Sequence, residues 1–169
     1  MNKPLYQFFT NDHRRIDALL DKATQNPDEF QMDYYHQFRT GLLKHIKMEE
    51  KILFPAAQKA NGGIALPLAG KLRLDHGALT SLMVVPPSRD VIKVLHFVLN
   101  KHDLLEEEPG GMYDVCEKLT EGETSILLQQ LESVADVPVH PYNEAGYALD
   151  VAKRTLLRAG FDFDAIAGI

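Results

Sequence analysis

Through most of this chain apolar residues recur at spacings of three and four, and alternation of period two is almost absent, so its segments must be helices that each bury one face. Breaks cut that periodicity into pieces. Tyr6, Phe8, Phe9, Ile16, Leu19 and Leu20 lie on a first helix over residues 5–25. Asn26, Pro27 and Glu29 stand at the N-cap, N1 and N3 positions of a second helix, which runs to about Ala60, kinks at Pro55 and stops at Asn61, Gly62 and Gly63. A third helix over 64–84 ends before Pro86 and Pro87. A fourth, over 89–108, starts from an N-cap at Ser88 and is broken by Pro109, Gly110 and Gly111. Shorter helices over 112–119, 124–135 and 144–159 follow, the last closed by Gly160. The expected fold class is all-α: an up-and-down antiparallel four-helix bundle with additional C-terminal helices. Residues 1–120 are expected to form the bundle and 121–169 a helical extension packed on the same domain.

Composition narrows the partners. The chain of 169 residues carries a formal charge of -6, which argues against nucleic acid and anionic membrane surfaces, since both are bound through clustered Lys and Arg. No window approaches the roughly 18 apolar residues of a spanning helix, and the N-terminus has no signal or transit pattern, so a cytoplasmic location is expected. A single cysteine, Cys116, rules out an intramolecular disulfide framework, reads as a buried apolar residue, and leaves any metal to nitrogen and oxygen donors. A homodimer is compatible with this composition.

The first four helices repeat themselves. Helix one contains Asp12-His13 and helix three Asp75-His76, each followed by an apolar residue three and six positions after the His. Helices two and four each spell Lys-His-x-x-x-Glu-Glu, as Lys44 to Glu50 and Lys101 to Glu107. Each helical hairpin thus offers one His from its first helix, and one His and one Glu from its second. Residues i and i+4 share a helix face with Cβ atoms about 6 Å apart, so His45 with Glu49, and His102 with Glu106, reach one centre. Phe38, Leu42, Ile46 and Leu53, and Leu95, Leu99 and Leu105, turn those faces inward. An unpaired buried charge costs roughly several kcal/mol, and bound cations would satisfy His13, His45, Glu49, His76, His102 and Glu106 together. Ligand imidazoles must be neutral, so affinity is expected to fall as pH drops through roughly 6.

The remaining polar groups read differently. His96 lies about 120° round the helix from His102, His36 about 180° from His45, and His140 sits in a Pro-rich loop, so these three are expected outside the site. Glu50 and Glu107 fall one position off the ligand face. Asp12 and Asp75 either orient nearby imidazoles or cap locally.

The paired His and HxxxE order resembles the hemerythrin-like, or HHE cation-binding, domain family over roughly residues 8 to 120. The resemblance implies a four-helix bundle holding two iron ions, with the six residues as ligands and Glu49 and Glu106 as bridging carboxylates. Zinc and manganese suit the same donors. Oxygen-carrying members have a fifth His where this chain has Thr80, and a final Asp where it has Glu107. Four His and two Glu are instead similar to the members that repair iron-sulfur centres or sense iron. Two functions compete on this reading: a module that binds or senses dioxygen, nitric oxide or iron, and an oxidoreductase or iron-centre repair protein acting on nitric oxide or peroxide.

Overall fold

A computed structural model describes residues 2–169, and the described residues are helical with no strand. The bundle consists of α1 (Pro4–Thr24), α2 (Met32–Met48), α4 (Ala69–Val84) and α5 (Arg89–Glu107), packed so that α1 meets α2 and α5 while α4 meets α5 and α2. A π-helical turn, Glu49–Leu53, and α3 (Phe54–Ala60) continue α2. After α5 come α6 (Met112–Leu119), α7 (Thr124–Glu132), α8 (Gly146–Ala159) and α9 (Phe163–Ala167), with α8 laid on α4 and α9 on α5. None of these helices is long and apolar enough to cross a membrane.

Several expected boundaries move, each for a local reason. The Asn26 side chain accepts from the Asp28 amide at 3.0 Å and the Asn26 carbonyl from the Glu29 amide at 3.2 Å, which closes a turn, so α2 starts only at Met32. Pro55 is absorbed by the π turn, in which the Phe54 amide reaches back five residues to the Glu49 carbonyl. Residues 64–68 are loop and turn rather than helix, because Pro67 disfavours helical backbone at Leu66, and α4 therefore begins at Ala69. Ser88 caps α5 as expected, its hydroxyl accepting from the Val91 amide. Gly62, Gly63 and Gly160 take positive φ at the helix ends assigned to them. The short α9, capped by Asp162, is a helix the periodicity did not reveal.

The apolar core falls into two clusters. One gathers Ile16, Leu20, Phe38, Leu42, Leu79, Leu82, Leu95 and Val98, and is extended outward by Ala152, Leu156 and Phe163 of α8 and α9. The other gathers Leu5, Phe9, Leu53, Phe54, Leu72, Met112, Tyr113 and Leu127. Along α1 the clusters leave residues 12 and 13 between them, along α2 residue 45, along α4 residues 75 and 76, and along α5 residue 102. A polar layer crosses the bundle there.

Candidate metal centre

All six candidate ligands of the repeated motif lie in that layer. His13, His45, Glu49, His76, His102 and Glu106 are all buried, each with no more than 4% of its surface exposed. Helical spacing sets the intrahelical pairs: His45 Nε2 stands 3.2 Å from Glu49 Oε1, and His102 Nε2 3.3 Å from Glu106 Oε1. The other oxygen of each carboxylate turns to the opposite hairpin. Glu49 Oε2 lies 3.1 Å from His76 Nε2, and Glu106 Oε2 lies 3.3 Å from His13 Nε2. The six residues thus make two groups that could hold a metal ion, one of His13, His45, Glu49 and Glu106 and one of His76, His102, Glu49 and Glu106, with both carboxylates common to the two.

Each imidazole is held from behind by its Nδ1, and the partner is not the neighbour in sequence. Asp12 binds His45 at 2.8 Å and Asp75 binds His102 at 3.2 Å, so the Asp of each Asp-His pair serves the His of the next helix. Glu50 binds His76 at 2.8 Å and Glu107 binds His13 at 2.6 Å, so the second Glu of each motif serves the other hairpin. Each of these carboxylates then meets a cation nearer the surface: Arg15 for Asp12, Arg73 for Glu50, Lys71 for Asp75 and Arg14 for Glu107. The duplicated Lys-His-x-x-x-Glu-Glu is explained by this arrangement, in which its last residue supports the His of the opposite repeat. Such support fixes the ring, leaving Nε2 to face the centre.

Electrostatics follow from this crowding of acids. Burial pulls the imidazole protons off, but the surrounding carboxylates outweigh it, raising His76 to about 9 and His102 to about 10, with His13 well above and His45 above the ordinary value. Burial likewise opposes the charge on Glu49, and the His45 and His76 rings hold it well below the usual carboxylate range.

Three atoms test whether the protein alone completes this layer. Glu49 Oε2, His76 Nε2 and Glu106 Oε1 are buried with no hydrogen-bond partner. Glu49 Oε2 and His76 Nε2 stand 3.1 Å apart without aligning as donor and acceptor. Buried polar atoms are ordinarily paired. For bonds of about 2.1 Å, donors on adjacent corners of an octahedron sit about 3 Å apart, which matches the separations of 3.1 to 3.3 Å within the two groups. The donor set fits a cation.

Two residues enter the site unannounced by the motifs. Asp103, three positions before Glu106 and so on a shared face, brings Oδ1 to 3.7 Å from His13 Nε2, and burial raises it to about 6. Tyr113 of α6 puts its hydroxyl within 3.1 Å of His13, His45, Glu49 and Glu106. No periodicity predicts it, because the Pro109-Gly110-Gly111 turn resets the helix direction. Gly111 sits so close to the end of α5 that an added Cβ would stand 2.7 Å from the Leu105 carbonyl and 2.9 Å from that of Glu106. His36 and His140 are exposed, and with half-buried His96 they stay outside the centre as expected. Cys116 is buried.

Residues 5–84 match the family model of the Hemerythrin HHE cation binding domain, which bears out the resemblance carried by the motifs. The matched span, just under half the chain, holds His13, His45, Glu49 and His76, while His102 and Glu106 reach the same layer from beyond it. No curated protein and no solved structure gives a match.

Proposed function

We propose that this protein is a non-haem di-iron protein in which His13, His45, Glu49, His76, His102 and Glu106 are the ligands and Glu49 and Glu106 bridge the two ions. Its role is to bind or sense a small ligand, namely dioxygen, nitric oxide, peroxide or iron itself. The observation that carries this reading is that each of the two buried carboxylates presents one oxygen to the His13/His45 side and the other to the His76/His102 side. Imidazole and carboxylate donors suit iron, and equally zinc and manganese, so the cation-binding family match weighs toward iron only together with the family's chemistry. Iron bound there would supply a Lewis-acidic, redox-active centre with coordination positions left for a small molecule.

The chain's own part is positioning and exclusion. Four carboxylates hold the imidazoles in place, and the apolar clusters on either side keep bulk water from the centre. In this reading residues 1–120 carry the metal and 121–169 brace the bundle from outside.

Elemental analysis and the visible spectrum of protein purified under low oxygen test the proposal. About two irons per chain, lost in His45→Ala and in His102→Ala, are expected. Metal content untouched by either substitution would mean that the inward His and Glu pair only with one another. Steady-state consumption of peroxide or nitric oxide by the iron-loaded protein, absent in His45→Ala, would place it among the oxidoreductases rather than the binding modules.

A further inference from the structure

The two halves of the centre are not alike. Within the centre, the three buried atoms without a partner, Glu49 Oε2, His76 Nε2 and Glu106 Oε1, all lie on the His76/His102 side. On the other side, the Tyr113 hydroxyl stands 3.0 Å from His13 Nε2, 3.1 Å from His45 Nε2, 2.6 Å from Glu49 Oε1 and 3.0 Å from Glu106 Oε2.

Hydrogen bonding alone does not account for that position. A phenol has one hydrogen to donate, yet Glu49 and Glu106 both present acceptor oxygens to it, so only one of them is served. The two imidazoles already use Nδ1 against Glu107 and Asp12, and once neutral they turn acceptor Nε2 atoms toward the same hydroxyl. One oxygen is surrounded by four groups that all share the chemistry of metal ligands. Separations of 2.6 to 3.1 Å are those of adjacent donors around a single cation with bonds of about 2 Å.

The chain also invests structure in holding this residue. Tyr113 is 1% exposed, stacked on Phe9 at 5.1 Å and edge-on to Tyr6. The close-packed turn at Gly111 directs α6 back into the mouth of the bundle. Counted from the last ligand of each repeat, Tyr113 is seven residues after Glu106, and the residue seven after Glu49 is Ala56, which offers no donor. The first repeat continues as helix where the second breaks, so the asymmetry is built into the sequence.

We infer that the Tyr113 oxygen is a ligand to the cation between His13 and His45, giving that position five protein donors against four at the His76/His102 position and leaving the latter as the one more open to a small molecule. On binding, the phenolic proton is given up to solvent and the phenolate coordinates in its place. A phenolate is a hard oxygen donor that suits ferric iron, as the carboxylates beside it do. This inference rests on the di-metal reading above and assigns the two positions different roles within it.

The full chain is loaded with ferrous iron under nitrogen and oxidised with ferricyanide. Iron content, visible absorption and resonance Raman scattering are then read on the wild type and on Tyr113→Phe. The expected result is a phenolate-to-iron charge-transfer band with enhanced tyrosine ring vibrations in the wild type, both lost in Tyr113→Phe when intensities are compared per bound iron. Azide, used as a probe ligand, is expected to bind at about one per chain in the wild type. Iron bound without tyrosine-enhanced scattering would overturn this inference while leaving the di-iron reading intact, and so would two azides per wild-type chain or a band that survives in Tyr113→Phe. Absence of bound iron would overturn both. The wild-type spectrum alone decides the matter should the variant fold poorly.

Discussion

Metal binding to this centre should release protons at neutral pH, and the number can be worked from the structure. His76 is raised to about 9 and His102 to about 10 by the carboxylates around them, so at pH 7 both are almost entirely imidazolium. A cation bound through their Nε2 atoms requires both protons to leave. Being two to three pH units below those values makes the protons outcompete the metal by roughly a hundredfold at one ring and a thousandfold at the other. The apparent association constant should therefore climb about a hundredfold for each pH unit between about 7 and 9, then flatten. This moves the window well above the value near 6 expected from free imidazole, because the sequence does not show how many carboxylates face each ring. Zinc, which accepts the same donors without redox chemistry, is the convenient probe. Calorimetric titrations at pH 7 in two buffers of different ionisation enthalpy count the protons directly. Two or more per chain are expected, and their disappearance is expected above pH 10. Binding that releases no proton at pH 7 would refute the argument, since the rings would then be neutral before the metal arrives.

Two other substitutions, with His96→Ala as a control, probe the shell and the turn behind the centre. Asp75→Asn removes the carboxylate that holds His102 Nδ1 and should weaken zinc or iron binding by roughly 10- to 100-fold in chelator competition, while His96→Ala leaves it unchanged. Gly111→Ala forces a Cβ against three backbone carbonyls at 2.7 to 2.9 Å, so the turn must open, with a loss of about 1 to 3 kcal/mol in denaturant unfolding. An unchanged midpoint for Gly111→Ala would show that α6 is not pressed against the end of α5 as described.

Four of the candidate ligands, His45 with Glu49 and His102 with Glu106, were legible because each lies on an inward helix face with its partner four residues away, a relation that a single helix contains in full, and His13 and His76 were legible because the Asp-His segment repeats upstream of each pair. What surrounds them was legible only by kind. Asp12 and Asp75 stood out as groups able to orient an imidazole, but their neighbours in the chain, His13 and His76, are not the rings they hold. Which ring each serves depends on the packing of one helix against another, and periodicity carries no information about that. Tyr113 was invisible for a related reason: its direction is decided by a three-residue turn rather than by any repeat. The start of α2 was misplaced because Asn26 is equally good at capping a helix and at closing a turn. The π turn at Glu49–Leu53 replaced a simple proline kink, and from it Glu49 and Glu50, adjacent in sequence, both reach His76.

The same protons that compete with metal should also stabilise the protein when no metal is bound, and the sign of that effect can be checked. Each outer carboxylate, Asp12, Glu50, Asp75 and Glu107, already has its own Arg or Lys partner, so the inner balance is between Glu49, Glu106 and whatever neutralises them. Four imidazolium protons bring four positive charges, and two divalent cations bring the same, so exchanging one set for the other leaves the charge of the six-ligand layer unchanged, before Tyr113 gives up its own proton. For His76 and His102 the folded pKa lies above the unfolded value of about 6.5, so their contribution is complete below that pH and is lost as pH rises through about 9 to 10. Two protons held by the folded chain and not by the unfolded one give a slope near 3 kcal/mol per pH unit over about 7 to 9. Metal-free protein should therefore be folded at pH 7 and lose stability steeply towards pH 10, whereas the metal-loaded form, in which the cations have replaced those protons, should hold its stability over the same range. Urea unfolding of both forms at pH 7, 8, 9 and 10 decides it, and parallel curves would mean that the carboxylate layer does not hold its protons in the way the geometry implies.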